Sequence, residues 1–176
     1  MADLAPLPGR SLDEPALAAL QAQAFHDRRI CVVGALIANP EGQIFVQQRV
    51  LHGHFLPGCW DIVGGHVEAG ETLIAALARE IQEETGWQLQ QVTRLVGMYD
   101  WESIGIDSPV LKREFDFLAV VHGDLDKPQI ESEKVMAYQW IGRTQVDLVQ
   151  ENRQPTDRFM IDLLTDAFRY LPEAPL

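Results

Sequence analysis

The stretch from Gly65 to Trp87 constrains this chain more than any other. It opens on Gly65, passes through Glu71, and closes on Arg79-Glu80-Ile81-Gln82-Glu83-Glu84-Thr85-Gly86-Trp87. Thr72 to Thr85 is rich in helix formers, and Gly86 stands where a helix ends in a left-handed residue. Leu73, Leu77 and Ile81 recur at every fourth position with Ile74 and Ala78 beside them, so one stripe must face a core. At roughly 100° per residue, Glu80, Glu83 and Glu84 share an arc flanking that stripe.

Like charges at these spacings destabilise a helix, and Arg79 is the one basic residue in it. Spacing alone leaves two readings open: a solvated acidic face, or a site for a hard divalent cation bound through oxygen ligands. The Gly64-Gly65 pair before the helix lets the backbone approach closely, so that Gly64 can present its carbonyl to a metal.

The whole pattern resembles the signature of the Nudix hydrolases. Gly65, Glu71, Arg79, Glu80, Glu83, Glu84 and Gly86 match its fixed identities at the family spacing. Ile81 fills the first hydrophobic position, and Trp87, bulkier than the usual aliphatic residue, fills the second. The resemblance implies an α+β fold, an α/β/α sandwich with a mixed β-sheet between helices and the box as loop-helix-loop. It further implies that Glu80, Glu83 and Glu84 bind Mg2+, with Mn2+ as the alternative ion. Glu71 would assist a ligand or water, and Arg79 would orient the acidic groups. The implied reaction is attack of water on a diphosphate linked to another moiety. Glu80 is the first choice for general base, with Asp124, Asp126, Glu131 and Glu133 as candidates from a downstream loop.

At 176 residues and 47% hydrophobic content, the chain fits one ordinary globular domain. With the resemblance, it is expected to divide into an N-terminal extension with a short helix, residues 1–28, and a Nudix hydrolase domain, residues 29–176. A net charge of −12 disfavours a nucleic-acid polymer as partner. Bound metal would reconcile that charge with an anionic substrate. No apolar run spans a membrane and the N-terminus lacks a signal-peptide pattern, which sets the expectation of a cytoplasmic protein without a membrane partner. Cys31 and Cys59 read as structural.

In chain order, Ser11-x-x-Glu14 is a capping-box pattern before an amphipathic helix that covers a sheet edge or a homodimer partner. Residues 29–38 and 43–50 read as strands joined through Asn39-Pro40-Glu41-Gly42 into a hairpin. Arg49 and His66 are the candidate substrate contacts, and the loop carrying His52 and His54 shapes the pocket mouth. Residues 88–99 read as a strand, 101–110 as a loop, 112–122 as an alternating strand, 123–133 as an acidic connection and 135–141 as a strand. Thr156 to Leu171 reads as a helix. On the 112–122 strand, Arg113, Phe115, Phe117, Ala119 and Val121 point one way, and Lys112, Glu114, Asp116, Leu118 and Val120 the other.

The substrate expected from the resemblance is a nucleoside diphosphate derivative, such as a nucleoside triphosphate or nucleotide-sugar. Subgroup signatures are absent: Glu102 and Ser103 stand where ADP-ribose-hydrolysing members carry a proline. Trp101, Phe115 and Trp140 are aromatics able to stack a base. Two other readings belong to different classes. An isopentenyl-diphosphate isomerase needs a cysteine where this chain has Gly64. A non-catalytic sensor commonly loses box glutamates, and this box is intact.

Overall fold

The computed structural model describes residues 13–53, 55–104 and 109–172. Ser11, His54 and Gly105 to Ser108 lie outside them, and with them the capping-box and His-x-His readings. Helix α1 spans Glu14–His26; its N-cap is Asp13, whose carboxylate accepts from the Ala16 amide at 2.8 Å. The strands are β1 Ile30–Ile37, β2 Ile44–Arg49, β3 Trp60–Asp61, β4 Val63–His66, β5 Gln88–Ile104, β6 Pro109–His122 and β7 Val135–Ile141. Helix α2, Leu73–Thr85, lies between β4 and β5; helix α3, Phe159–Phe168, follows a 3-10 helix over Arg143–Gln150.

The strands form two sheets. A mixed four-stranded sheet runs β4-β1-β6-β5, in which β1 and β6 are parallel and the other pairings antiparallel. An antiparallel three-stranded sheet runs β3-β2-β7. The expected α+β sandwich with a mixed sheet between helices is therefore the observed architecture, with a second sheet added to it.

One core packs α1 and α2 on the mixed sheet through Leu17, Ala24, Val33, Ala35, Leu77, Ile81, Phe115 and Phe117. The other joins the opposite face of that sheet to the antiparallel sheet and α3 through Leu36, Ile44, Val46, Trp60, Leu118, Ile141 and Leu164. Each fully buried Leu or Ile contributes about 1.5–3 kcal/mol, so α2 is held mainly by its stripe rather than by its charged face. Phe115 is one of these core side chains, with no exposed surface left for stacking a base.

Three expectations need correction. Residues 29–38 and 43–50 are strands, but not a hairpin of one sheet: they share a single bridge, Ala38 to Ile44, and then part into different sheets. The Asn39–Gly42 turn, with Gly42 at φ 74°, is the corner between layers. Residues 101–104 and 109–110 are not loop, because β5 and β6 keep pairing out to Ile104 and Pro109. Cross-strand bonds override the weak local preference there, and Pro109 sits at a strand start, where its missing donor costs least. The last helix is shorter than 156–171, and the Arg143–Gln150 helix was not anticipated.

Helix α1 covers its own domain, burying Leu17, Gln21 and Ala24. No helix among the described residues is long and apolar enough to cross a membrane.

Candidate active site

Helix α2 is framed by Thr72, whose hydroxyl accepts from the Ala75 amide at 3.2 Å, and by Gly86 in the left-handed region at φ 72°. Its buried residues, Leu73, Ala76, Leu77, Ile81 and Thr85, lock its rotation about its axis. That rotation turns Arg79, Glu80, Glu83 and Glu84 toward the loop that precedes the helix.

Arg79 is the hub. Its Nε and Nη2 donate to the two oxygens of Glu71 at 2.8 and 3.0 Å. Its Nη1 donates to Glu80 at 2.8 Å and to Glu83 at 3.3 Å, and its Nη2 reaches the His66 carbonyl at 2.9 Å. The fork geometry of guanidinium suits such bidentate pairing. Glu71 also accepts from the Glu68 amide at 2.9 Å. Arg79 first, and that amide second, hold the Glu71 carboxyl down at about 2. The backbone carbonyl of Glu71 accepts from the buried Gln21 amide at 2.7 Å, which ties α1 to the box.

Glycine is required at the two positions that face these carboxylates. A Cβ at Gly65 would run into the Glu80 carboxylate, and one at Gly64 into the Val33 carbonyl. The Gly64 amide donates to Glu84 at 3.3 Å, and Gln47 donates to the same oxygen at 2.7 Å. Burial, reinforced by the neighbouring Glu80 charge and opposed by the Gln47 bond, pushes Glu84 up to about 7. Glu80 is largely shielded, whereas the Glu83 side chain is 53% exposed. The box therefore offers one shielded, one raised and one open carboxylate within a single patch.

The other sequence candidates distribute unevenly. Arg49 is not a free cation: it pairs with Asp61 at 2.8 Å and lies over the Phe55 ring at 5.1 Å. Its charge still reaches Glu84. His66 contributes its carbonyl to Arg79, and its side chain is exposed. Among the loop acids, Asp124, Asp126 and Glu133 are exposed. Glu131 pairs with Lys134 at 2.7 Å, and Lys134 feels the charges of Glu84 and Glu80. Trp140 stacks on Trp87 at 5.7 Å, and Trp101 lies under Lys112 at 4.6 Å.

Gln21, Gln47, Asp61, Glu114 and Asp116 escaped the sequence reading. For Asp116 a signal exists, an acid between Phe115 and Phe117 in an apolar strand, but alternation assigns it to solvent when only one sheet is expected. No three His, Cys, Asp or Glu side chains among the described residues converge into a ready-made metal cage. The box donors are all oxygens and outnumber their one arginine, which fits a hard cation that completes its shell with water and phosphate.

Comparison with known proteins agrees with this geometry. The NUDIX domain model matches residues 28–163. An 8-oxo-dGTP diphosphatase of Proteus vulgaris is 35% identical over 68 residues, 39% of this chain and 60% of that protein. An isopentenyl-diphosphate Delta-isomerase of Serratia proteamaculans is 29% identical over 132 residues, 73% of this chain and 69% of that protein. The solution structure of the Escherichia coli ORF135 protein superposes with a TM-score of 0.61 at 26% identity, covering 81% of this chain and 92% of that one. The matches to two further curated relatives span 24% and 40% of those proteins' lengths. With the domain model covering most of its length and the box carboxylates gathered on Arg79, the chain belongs to the Nudix family.

Proposed function

We propose that this chain is a Mg2+-dependent hydrolase, with Mn2+ as a substitute ion, that cleaves the diphosphate linkage of a nucleoside diphosphate derivative such as a nucleoside triphosphate or nucleotide-sugar. The carrying observation is the cluster of Glu71, Glu80, Glu83 and Glu84 around Arg79. Glu80, Glu83, Glu84 and the Gly64 carbonyl would hold the ion. When bound, the cation neutralises phosphoryl oxygens and lowers the pKa of a water.

The remaining work falls to the chain's own groups. Glu71 fixes the plane of Arg79, and Arg79 fixes Glu80 and Glu83 in turn. Glu80, packed against Gly65 and shielded from bulk water, takes the proton of the attacking water. Arg49 and His66 flank the box and meet the substrate. The diphosphatase relative acts on a nucleotide by its name, which supports a nucleotide here. The protein works in the cytoplasm on a small molecule, and a homodimer is compatible with this reading.

An isomerase reading is weaker despite that relative. A cysteine in place of Gly64 would drive its Cβ into the Val33 carbonyl. The test is product analysis on a panel of nucleoside diphosphate derivatives with Mg2+. Glu83→Gln and Glu84→Gln should each lower turnover by at least about a hundredfold with the fold intact. Near-normal turnover in either variant overturns the assignment.

A further inference from the structure

Strand register places Gly64, Gly34, Asp116 and Gly97 in one row across β4, β1, β6 and β5. The next row is His66, Val32, Glu114 and Tyr99, and beyond it lie Ile30, Lys112 and Trp101. Glu114 and Asp116 project to the same face of β6 as Leu118, the face that meets the antiparallel sheet and α3.

Two glycines of the row, Gly34 and Gly97, give Asp116 its room. A Cβ at Gly34 would collide with the Asp116 Oδ1, and one at Gly97 would stand 3.5 Å from its Oδ2. Asp116 is completely buried, yet neither oxygen has a hydrogen-bond partner. The buried Tyr99 hydroxyl and Trp101 Nε1 have none either. Tyr99 lies close enough to both carboxyls, and Trp101 to Glu114, to favour their charged forms. Folded proteins rarely leave such atoms orphaned, and here four occupy one patch.

Among the described residues no cation is seated against the patch, and Lys112 reaches Glu114 with its charge alone. Arg49 is taken by Asp61, Arg29 and Arg113 by Asp100, and Lys112 lies over Trp101. None forms an ion pair with Glu114 or Asp116 among the described residues. Asp61 adds its own charge to the neighbourhood, and burial is the main reason both carboxyls hold their protons more tightly than usual. Glu114, half-buried where Asp116 is sealed, is the member that an incoming molecule meets.

We propose that this patch recognises the moiety carried by the diphosphate, with Glu114 accepting two adjacent N–H donors, as the amino and lactam edge of guanine presents them, and Trp101 packing on the ring. The proposal rests on the hydrolase reading above. Rows shared with His66 and Gly64 run from Glu114 and Asp116 to the box, so one molecule can span both. Two N–H donors from a ligand favour the ionised form of Glu114, and an ionised carboxylate is an acceptor only. Hypoxanthine offers it one donor, adenine a donor beside an acceptor, and uracil a donor between two carbonyls.

The experiment is steady-state hydrolysis of GTP, ITP, ATP and UTP with Mg2+ by the wild type, Glu114→Gln and Asp116→Asn. The wild-type kcat/KM for GTP should exceed that for ITP by about ten- to a hundredfold, the discrimination of a good bidentate base contact. Glu114→Gln should bring that ratio to within about threefold of unity, and Asp116→Asn should reduce it. A ratio between two substrates is insensitive to the fraction of enzyme that is folded. A wild-type ratio near one, a preference for another base, or an unchanged ratio in Glu114→Gln overturns the proposal. If none of the four is hydrolysed, the nucleotide reading of the hydrolase has failed, and equilibrium dialysis of GDP against IDP on the same protein decides the recognition site separately. Equal retention of the two would overturn it.

Discussion

The side chain of Gln21 donates to the backbone carbonyl of Glu71 at 2.7 Å, across fifty residues of sequence. This bond joins a helix that begins before the matched domain to Glu71, the loop residue that pairs with Arg79. Glu71 is held at its carbonyl by Gln21, at its carboxylate by Arg79, and through Arg79 to Glu80 and Glu83.

Gln21→Ala should therefore act in two places. Leaving the Glu71 carbonyl without its partner costs about 1–2 kcal/mol in denaturant unfolding. The Mg2+ concentration for half-maximal activity should rise by about tenfold, as expected when a support of the ligand set is removed. Leu17→Ala is the control, because it weakens the same helix without touching Glu71. An equal Mg2+ shift in both variants would show that helix packing, not the Gln21 bond, is responsible.

The two box glycines should fail differently. In Gly65→Ala the new methyl meets the end of the Glu80 side chain, which can swing away, so the protein should fold and lose most of its activity. In Gly64→Ala the obstacle is the Val33 backbone carbonyl inside the β1–β4 pairing, so stability itself should fall. Circular dichroism melts beside turnover assays separate the two outcomes.

Stability should decline as pH rises from about 4.5 to 7. Native Glu114, with its carboxyl raised to about 7 chiefly by burial, keeps a proton that the unfolded chain releases near its ordinary value of 4.5. Asp116 shifts in the same direction. Because the folded state binds more protons across this window, their contribution is complete below about 4.5 and is lost as pH rises through the folded value. For Glu114 the loss is on the order of 1–3 kcal/mol after screening at the cleft. Asp116→Asn should flatten the slope of unfolding free energy against pH, and an unchanged slope would refute the assignment.

The box helix was legible to within a residue because what defines it is local: the stripe of Leu73, Leu77 and Ile81 and the stop at Gly86, while Thr72, read as part of the helix, is its N-cap. The fold class followed from strand order. What stayed hidden depends on contacts distant in sequence. Nothing near Gln21 announces Glu71, and nothing in Ala35 to Gln47 states that the chain changes sheets at Ala38. That change also misled the reading of β6. With one sheet, Glu114 and Asp116 belong to water, whereas a second layer encloses them. The pairing of Arg49 with Asp61 stayed hidden because Asp61 sits on another strand.

The parallel pairing of β1 with β6 begins at Ile30 with Lys112 and therefore closes a loop that contains the entire box. Loop closure of that length is entropically uphill and slow relative to local events such as β5–β6 hairpin formation. A ribosome must have released β6 before the strand that carries Gly64 lies in a complete sheet. On the metal-binding reading proposed above, the acidic helix passes through synthesis before that sheet is complete, and cation affinity is one of the last properties of the nascent chain to arrive. In refolding from denaturant, Mn2+ binding should trail the appearance of β-structure by circular dichroism; simultaneous onset would argue that the box assembles independently of the sheet.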